Sequence, residues 1–383
     1  MEYRISIMNK IIVIGGNHHN TLGLIRSVGE KGLPVYVFLV DSGDLSTCNL
    51  RFSKYIKQLY QLNDDTEILK LLRTDFWYED NNPIILCASD SSVCFLDAHY
   101  DELKEKFHFF NAGEQGRISY FMNKTNMFSI ADECGLQTIK TWHINQGEHV
   151  PNDIVYPCFC KANNSAIDGK NGLGVCYDES ELKNRLNIGS SFLVQEYIEK
   201  DYEIDIVGFS YNHGEDVLID GICRKIRDYT DRQSQYDVLE DIAKYPNVNY
   251  EAIKRLVRQI GYEGIFSVEF ICHNGVYYFL EINLRNDGTG WLYTSSGANY
   301  PYMWYLYCKN QNIPKIKIKT PLYIMQMSDF SDVIHNKITL LHWLKDFSRT
   351  RAFFVLNLHD PKPFMFMMWY FLKLALRKLH ILR

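Results

Sequence analysis

Apolar runs and amphipathic stretches alternate through the first ninety residues. KIIVIGG (10–16) is an unbroken apolar run closing on two glycines, which predicts a buried strand feeding a tight turn. NTLGLIRSVGEKG (20–32) carries apolar positions at helical spacing and ends in glycine, which predicts an amphipathic helix. LPVYVFLV (33–40) and NNPIILCASD (81–90) read as further buried strands, the second ending at Asp90. Strand, helix and strand in that order argue for a parallel sheet with helices on its faces. The first strand-to-helix turn, GGNHHNTLG, has no GxGxxG in register. Asp41 stands only near the place where a dinucleotide fold carries its ribose-binding acid. Gly15 and Gly16 therefore either make a tight turn alone or open a small-ligand site at the strand ends.

The pattern changes near residue 116. NKTNMFSIADECGL (123–136) predicts a helix and VYPCFCKA (155–162) a strand, followed by a polar loop with Gly169, Gly172 and Gly174. SFLVQEYI (191–198), YEIDIVGFS (202–210) and VLIDGICRKIR (217–227) read as three strands, and NYEAIKRLVRQIGY (249–262) as an amphipathic helix. FSVEFIC and VYYFLEINLR flank Asn274-Gly275, a strong short signal for a β-hairpin. Beyond about 310 the chain turns rich in Phe, Met, Trp and Lys.

That hairpin carries the first candidate chemistry. Strand residues two apart share a face, so Glu281, Asn283 and Arg285 are expected to point the same way. Glu269 lies at a similar distance from the turn on the other strand, which makes it a cross-strand neighbour of Glu281. Two carboxylates and an amide oxygen are hard ligands of the kind magnesium takes, and Arg285 could fork onto a phosphate or carboxylate. The bland alternative is a solvated hairpin face, but both acids sit among large apolar residues, which favours a site.

Composition narrows the class. The 383 residues are 46% hydrophobic and 23% charged, with a net charge of −5 that gives no reason to expect nucleic acid. Ten cysteines form no CxxC pair, which points to a reducing cytoplasm and no structural zinc. The opening MEYRISIMNKIIVIGG suits a first strand better than a secretion signal, and no run of about 18 apolar residues exists to span a membrane.

Lys161, at the end of a strand beside a glycine loop, could reach phosphate oxygens, and Lys124 precedes a helix; taken singly, the bland reading is the better one for each, GKNGLG as an ordinary turn and Lys124 as a solvated lysine at a helix start. Taken in order, these pieces resemble the ATP-grasp superfamily over roughly residues 1–300. They comprise a strand-borne Lys, a glycine loop, the hinge QEYIEKDYEID (195–205), a strand Glu, and then E-I-N-x-R. The pattern is similar to the nucleotide sites of the carbamoyl-phosphate synthetase large chain, biotin carboxylase and D-alanine–D-alanine ligase. The resemblance implies an α/β fold, α+β in part. A Rossmann-like pre-ATP-grasp domain (1–115) would precede an ATP-grasp fold of two α+β subdomains (116–310) and a C-terminal extension (311–383).

The same resemblance implies that Lys124 and Lys161 contact ATP phosphates. Glu196, Tyr197 and Ile198 would meet adenine, and Glu203 the ribose. Glu269, Glu281 and Asn283 would hold one or two magnesium ions, with manganese as the alternative. Arg285, with Lys161 and Asn283, would serve catalysis. The strand Arg224 to Arg227 would add phosphate or carboxylate contacts. The implied activity is an ADP-forming carboxylate–amine (or thiol) ligase working through an acyl phosphate, with small carboxylates and amines as partners and a homodimer as the common assembly. Leu284 departs from the family pattern, standing where a proline is usual. Asn286, Asp287 and Thr289, walled by Trp291 and Tyr293, would either line an acceptor pocket or form a loop over a helix.

Other readings differ in class. A nucleotide-binding sensor or scaffold without catalysis would not need Glu269, Glu281, Asn283 and Arg285 together. An NAD-dependent oxidoreductase would need the missing GxGxxG. A carboxylase would need a biotin carrier supplied separately. In the tail, 364–383, Lys373, Arg377 and His380 gather near one helical face among Phe, Met, Trp and Leu. That segment either docks on the protein or lies against the inner face of a membrane.

Overall fold

The computed structural model of the chain describes residues 9–40, 43, 47–163, 173–187, 191–229 and 233–378. Asp41, Gly169, Gly172 and His380 lie outside the described residues.

The front sheet holds β1 (Ile11–Gly15), β2 (Val35–Val40), β3 (Ile56–Leu62) and β4 (Ile84–Cys87), all parallel in the order β3-β2-β1-β4. β1, β2 and β4 are buried along their whole length, as strands covered on both faces must be, which is why they read as unbroken apolar runs. β3 is absent from the hydrophobic reading. It is an edge strand, IKQLYQL, with Lys57 and Gln58 exposed, so no clean period marks it.

The helix expected over 20–32 forms at His19–Gly29, but it is not amphipathic in its burial: every residue from Asn20 to Gly29 is buried. Its outer side packs on the helix Gly290–Ser296, close enough that a Cβ on Gly23 would stand 3.2 Å from that of Trp291. Arg26 is fully buried there and donates to Asp360 Oδ2 at 3.1 Å and to the Val355 carbonyl at 2.8 Å. Asp360 also accepts from Ser53 Oγ and the Lys54 amide. Removing one partner of such a pair strands the other charge in the interior. Arg26→Ala should therefore lower unfolding stability by roughly 3–5 kcal/mol in denaturant titrations, against about 1 kcal/mol or less for an exposed pair such as Lys140–Asp153.

A small antiparallel sheet follows, with β5 (Thr141–Asn145), β6 (Cys158–Ala162), β7 (Gly174–Cys176) and β8 (Ser191–Glu196) in the order β5-β8-β6-β7. It has its own core around Ile144, Cys158, Leu182 and Phe192. The third sheet comprises β9 (Tyr202–Tyr211), β10 (Asp216–Leu218), β11 (Ile222–Tyr229), β12 (Gln233–Glu240), β13 (Gly264–His273), β14 (Val276–Asn283), β15 (Leu322–Met325) and β16 (Thr350–Phe353). Its order is β14-β13-β9-β11-β12-β15-β16, with β10 on the flank of β9. The stretch 217–227, expected as one strand, is two. The chain breaks at Gly221, where a side chain would strike Ile318 and Leu239. Residues past 310 are continuous with this sheet, since β15 pairs with β12. Among the described residues no helix is long and apolar enough to cross a membrane.

Candidate functional site

The three sheets meet around a cleft of about 1260 Å³. Lys124, Lys161, Glu196, Tyr197, Ile198, Glu203, Glu269, Glu281, Asn283 and Arg285 all line it. The front sheet contributes His18, Ser89, Asp90 and Ser91 at the ends of β1 and β4. Gly15 itself is a packing glycine, because a Cβ there would lie 2.5 Å from Thr21 Oγ1.

The floor is the β13–β14 hairpin. Counted evenly from its Asn274-Gly275 turn, Glu269 would face Leu280. The register instead slips between Phe270↔Phe279 and Glu269↔Glu281, leaving Leu280 as a bulge. The bulge turns the outer half of β14 over, so that both carboxylates stand opposite one another on the cleft side. Ser267↔Asn283 continues the same row. Asn283 Nδ2 lies 3.4 Å from Glu269 Oε1 and 3.3 Å from Ser267 Oγ.

Cations answer this acidic floor from three directions. Lys124, at the first turn of the helix Lys124–Glu133, places Nζ 3.7 Å from Glu281 Oε2. Lys225, on β11, places Nζ 2.9 Å from Glu203 and 3.6 Å from Glu269. Arg285 lies past the end of β14, not on the strand as expected, yet its Nη2 still reaches Asn283 Oδ1 at 3.3 Å. Its Nε meets Asp90 Oδ1 at 2.5 Å, which ties the hairpin to the front sheet.

The strand Arg224 to Arg227 divides. Only Lys225 reaches the cleft acids; Arg224 pairs with Glu240, and Arg227 with Asp329 and Asp346. A register shift between Lys225 and Arg227 separates those two side chains. The expected phosphate contacts thus shrink from the whole strand to Lys225.

Burial and charge set the protonation pattern. Burial pushes the Glu269 carboxyl up to about 7; Lys225 pulls it back, while Glu281 and Asp287 push it further. Burial also opposes ionisation of Glu281, but Lys124, Lys161 and Arg285 outweigh it and hold that carboxyl below its usual range. The two facing acids are thus driven in opposite directions by their surroundings. Lys161 is 6% exposed, with Nζ 5.0 Å from the Phe128 ring centre. Burial, helped by Lys124, brings its ammonium down to about 7, against the pull of Glu281 and Glu269.

The donor set suits magnesium rather than zinc. Among the described residues no three His, Cys, Asp or Glu side chains form a self-sufficient metal cage. Magnesium needs only one or two carboxylates, with water and phosphate oxygens completing its shell. Glu269, Glu281 and Asn283 could supply that share.

The cleft also has apolar walls, with Met127, Ile139, Phe159, Val175, Ile271 and Ile282 among its lining residues. Such walls suit a flat heterocycle. Tyr197 and Ile198 lie at the exit of β8, and the Glu196 amide donates to the Lys140 carbonyl at 3.0 Å. Glu203 is clamped by Lys200 at 2.7 Å and by Lys225, which hold its carboxyl below the usual range despite burial.

Beyond Arg285 the acceptor-pocket reading needs correction. Trp291 and Tyr293 are interior: Trp291 lies under Arg26, and the Tyr293 hydroxyl bonds the backbone of Val207 and Gly221. Asn286 is buried against Asn20. Asp287 and Thr289 join Asp205, a residue the sequence gave no reason to single out: Thr289 Oγ1 lies 2.7 Å from Asp205 and 3.0 Å from Asp287. Asp90 and Asp205 were not singled out from sequence: Asp90 meets Arg285 only where the front sheet closes on the hairpin, and Asp205 stands opposite Glu269 through the β9–β13 register, neither of which a local motif records.

Residues 129–301 match the family model of the ATP-grasp domain. The carbamoyl phosphate synthase large chain of Clostridium botulinum is 26% identical over 322 residues, 75% of this chain and 28% of that protein. The chain thus spans between about a seventh and a quarter of the length of the curated relatives it matches. Among solved structures, N5-carboxyaminoimidazole synthetase from Staphylococcus aureus aligns with a TM-score of 0.65 at 14% identity, covering 86% of this chain and 85% of that one. The biotin carboxylase of Campylobacter jejuni gives 0.62 at 16% identity, covering 82% and 74%. L-amino acid ligase from Bacillus licheniformis gives 0.61 at 15%, covering 79% and 74%. At these identities the structures speak for the fold.

Proposed function

We propose that this chain, whose residues 129–301 match the ATP-grasp domain, uses ATP to activate a carboxylate as an acyl phosphate, which an amine or similar nucleophile then attacks. The observation that carries the reading is the acidic row Glu269, Glu281, Asn283 sharing one apolar-walled cleft with Lys124, Lys161 and Arg285, with Lys225 paired to Glu269.

In this reading adenine lies between the apolar walls, with its edge toward Tyr197, Ile198 and Glu196. Glu203 accepts the ribose hydroxyls. Lys124 and Lys161 meet the phosphates. Magnesium held by Glu269, Glu281 and Asn283 would offset negative charge on the transferring phosphoryl group. A substrate carboxylate oxygen attacks the γ-phosphorus, the bond to the ADP oxygen breaks, and Arg285 offsets charge on the group in transit. The nucleophile then adds to the acyl carbon, the carbon–oxygen bond to phosphate breaks, and phosphate leaves; the proton departs from the incoming nitrogen. Asp90 aims the Arg285 guanidinium, since its carboxylate bonds Nε and leaves part of the fork for substrate.

The protein incubated with Mg-ATP, hydroxylamine and pools of carboxylic acids should release ADP and form a hydroxamate from one pool. ADP release that no pool stimulates, with no hydroxamate, would overturn the ligase reading. Asp90→Ala, which removes the acceptor that aims Nε, should lower kcat by roughly tenfold to a hundredfold while ATP affinity holds within about threefold.

A further inference from the structure

The last described helix, Lys362–Lys378, leaves one face bare. Met365, Met368, Trp369 and Leu372 are 63, 46, 53 and 57% exposed. Their spacing of three, four and seven residues puts them on a single stripe. A different side of the helix docks on the body: the Phe366 ring lies 4.5 Å from Phe52, with Arg51 over the same ring. A helix that served only to cap the protein would turn its larger apolar stripe inward. This one turns it outward, and Leu358, 87% exposed, stands just before its start.

The charge on the segment indicates what covers the stripe. Residues 362–383 contain five basic residues, Lys362, Lys373, Arg377, Lys378 and Arg383, and no acid, in a chain whose net charge is −5. Lys373 runs back along Trp369, with Nζ 5.2 Å from that ring. An ammonium folded over an interfacial aromatic keeps its stem on apolar surface and its head in the polar layer. Symmetric pairing with a second copy through this stripe would instead set like charges against each other. The helix falls short of what crossing a membrane requires.

We propose that the helix Lys362–Lys378 lies in the interface of an anionic lipid bilayer, apolar stripe inward, with Lys362, Lys373 and Arg377 among the headgroups. The attachment carries the whole protein and not a loose tail, because the buried Arg26–Asp360 pair fixes the chain two residues before the helix begins.

The test is flotation of the full chain with vesicles of phosphatidylcholine alone and of phosphatidylcholine mixed with phosphatidylglycerol. The chain should float with the anionic vesicles and release in high salt. The double variant Lys373→Glu/Arg377→Glu should weaken this partition roughly tenfold or more. Trp369→Glu/Leu372→Glu should abolish it, with an unchanged unfolding midpoint because both residues are exposed. A chain that stays unbound with anionic vesicles overturns the proposal. So does a dimer in light scattering that Trp369→Glu/Leu372→Glu dissociates, with no capture by vesicles.

Discussion

Glu281→Gln is expected to abolish ADP-forming turnover, by roughly a thousandfold or more, while the protein stays folded. The substitution keeps shape and removes one charge. Lys124, 3.7 Å away, loses its partner, and the oxygen set facing Asn283 and Glu269 falls to a single carboxylate. The fold should not suffer, because Glu269 across the ladder is held up to about 7 partly by the charge of Glu281. Removing that charge lets Glu269 ionise more readily. Steady-state turnover and a denaturant titration on the same sample separate the two effects. Wild-type turnover in this variant would remove Glu281 from the metal site.

Lys161→Met should act oppositely on stability and on ligand binding. In the unfolded chain Lys161 holds its proton up to the ordinary value of 10.5, whereas in the folded chain it releases it near 7. Between those values the unfolded state binds more protons, so the residue's contribution to stability rises with pH through that window. Below about pH 7 the cost of the buried cation is present in full. Methionine removes that cost, so the variant's unfolding midpoint at pH 7 should exceed the wild type's, with the gap closing toward pH 10. ATP binding should weaken roughly ten- to a hundredfold, since an ammonium bonded to a phosphate oxygen is lost. Wild-type protein binding ATP at pH 8 without divalent cations should also take up about one proton, because phosphate restores the charge on Lys161. Calorimetry in buffers of different ionisation enthalpy reads that proton, and Lys161→Met should not show it.

The chemistry was legible in the sequence wherever it rested on local pattern. Asn274-Gly275 marked the hairpin, and apolar neighbours marked Glu269 and Glu281 as more than surface acids. What brings those two acids face to face is the bulge at Leu280, and an even count from the turn misses it by one residue. Lys225 could be named only together with its strand, which carries three cations, because a register shift decides which of them reaches Glu203 and Glu269. Asp90 and Arg285 are 195 residues apart in sequence and meet only when the front sheet closes on the hairpin. The helix His19–Gly29 looked amphipathic because Arg26 and Ser27 are polar, but both find buried partners in distant segments. β3 was missed because an edge strand has one open side and needs no apolar run.

The central claim is that a carboxylate takes the γ-phosphoryl group of ATP in the cleft over Glu269, Glu281 and Asn283. Its most direct test supplies Mg-ATP, hydroxylamine and carboxylic acids labelled with oxygen-18 in the carboxyl group, and reads the mass of the phosphate released. An acyl phosphate intermediate leaves one carboxyl oxygen on phosphorus, so labelled phosphate should appear together with ADP. Phosphate carrying no label, formed alongside hydroxamate, would contradict the account.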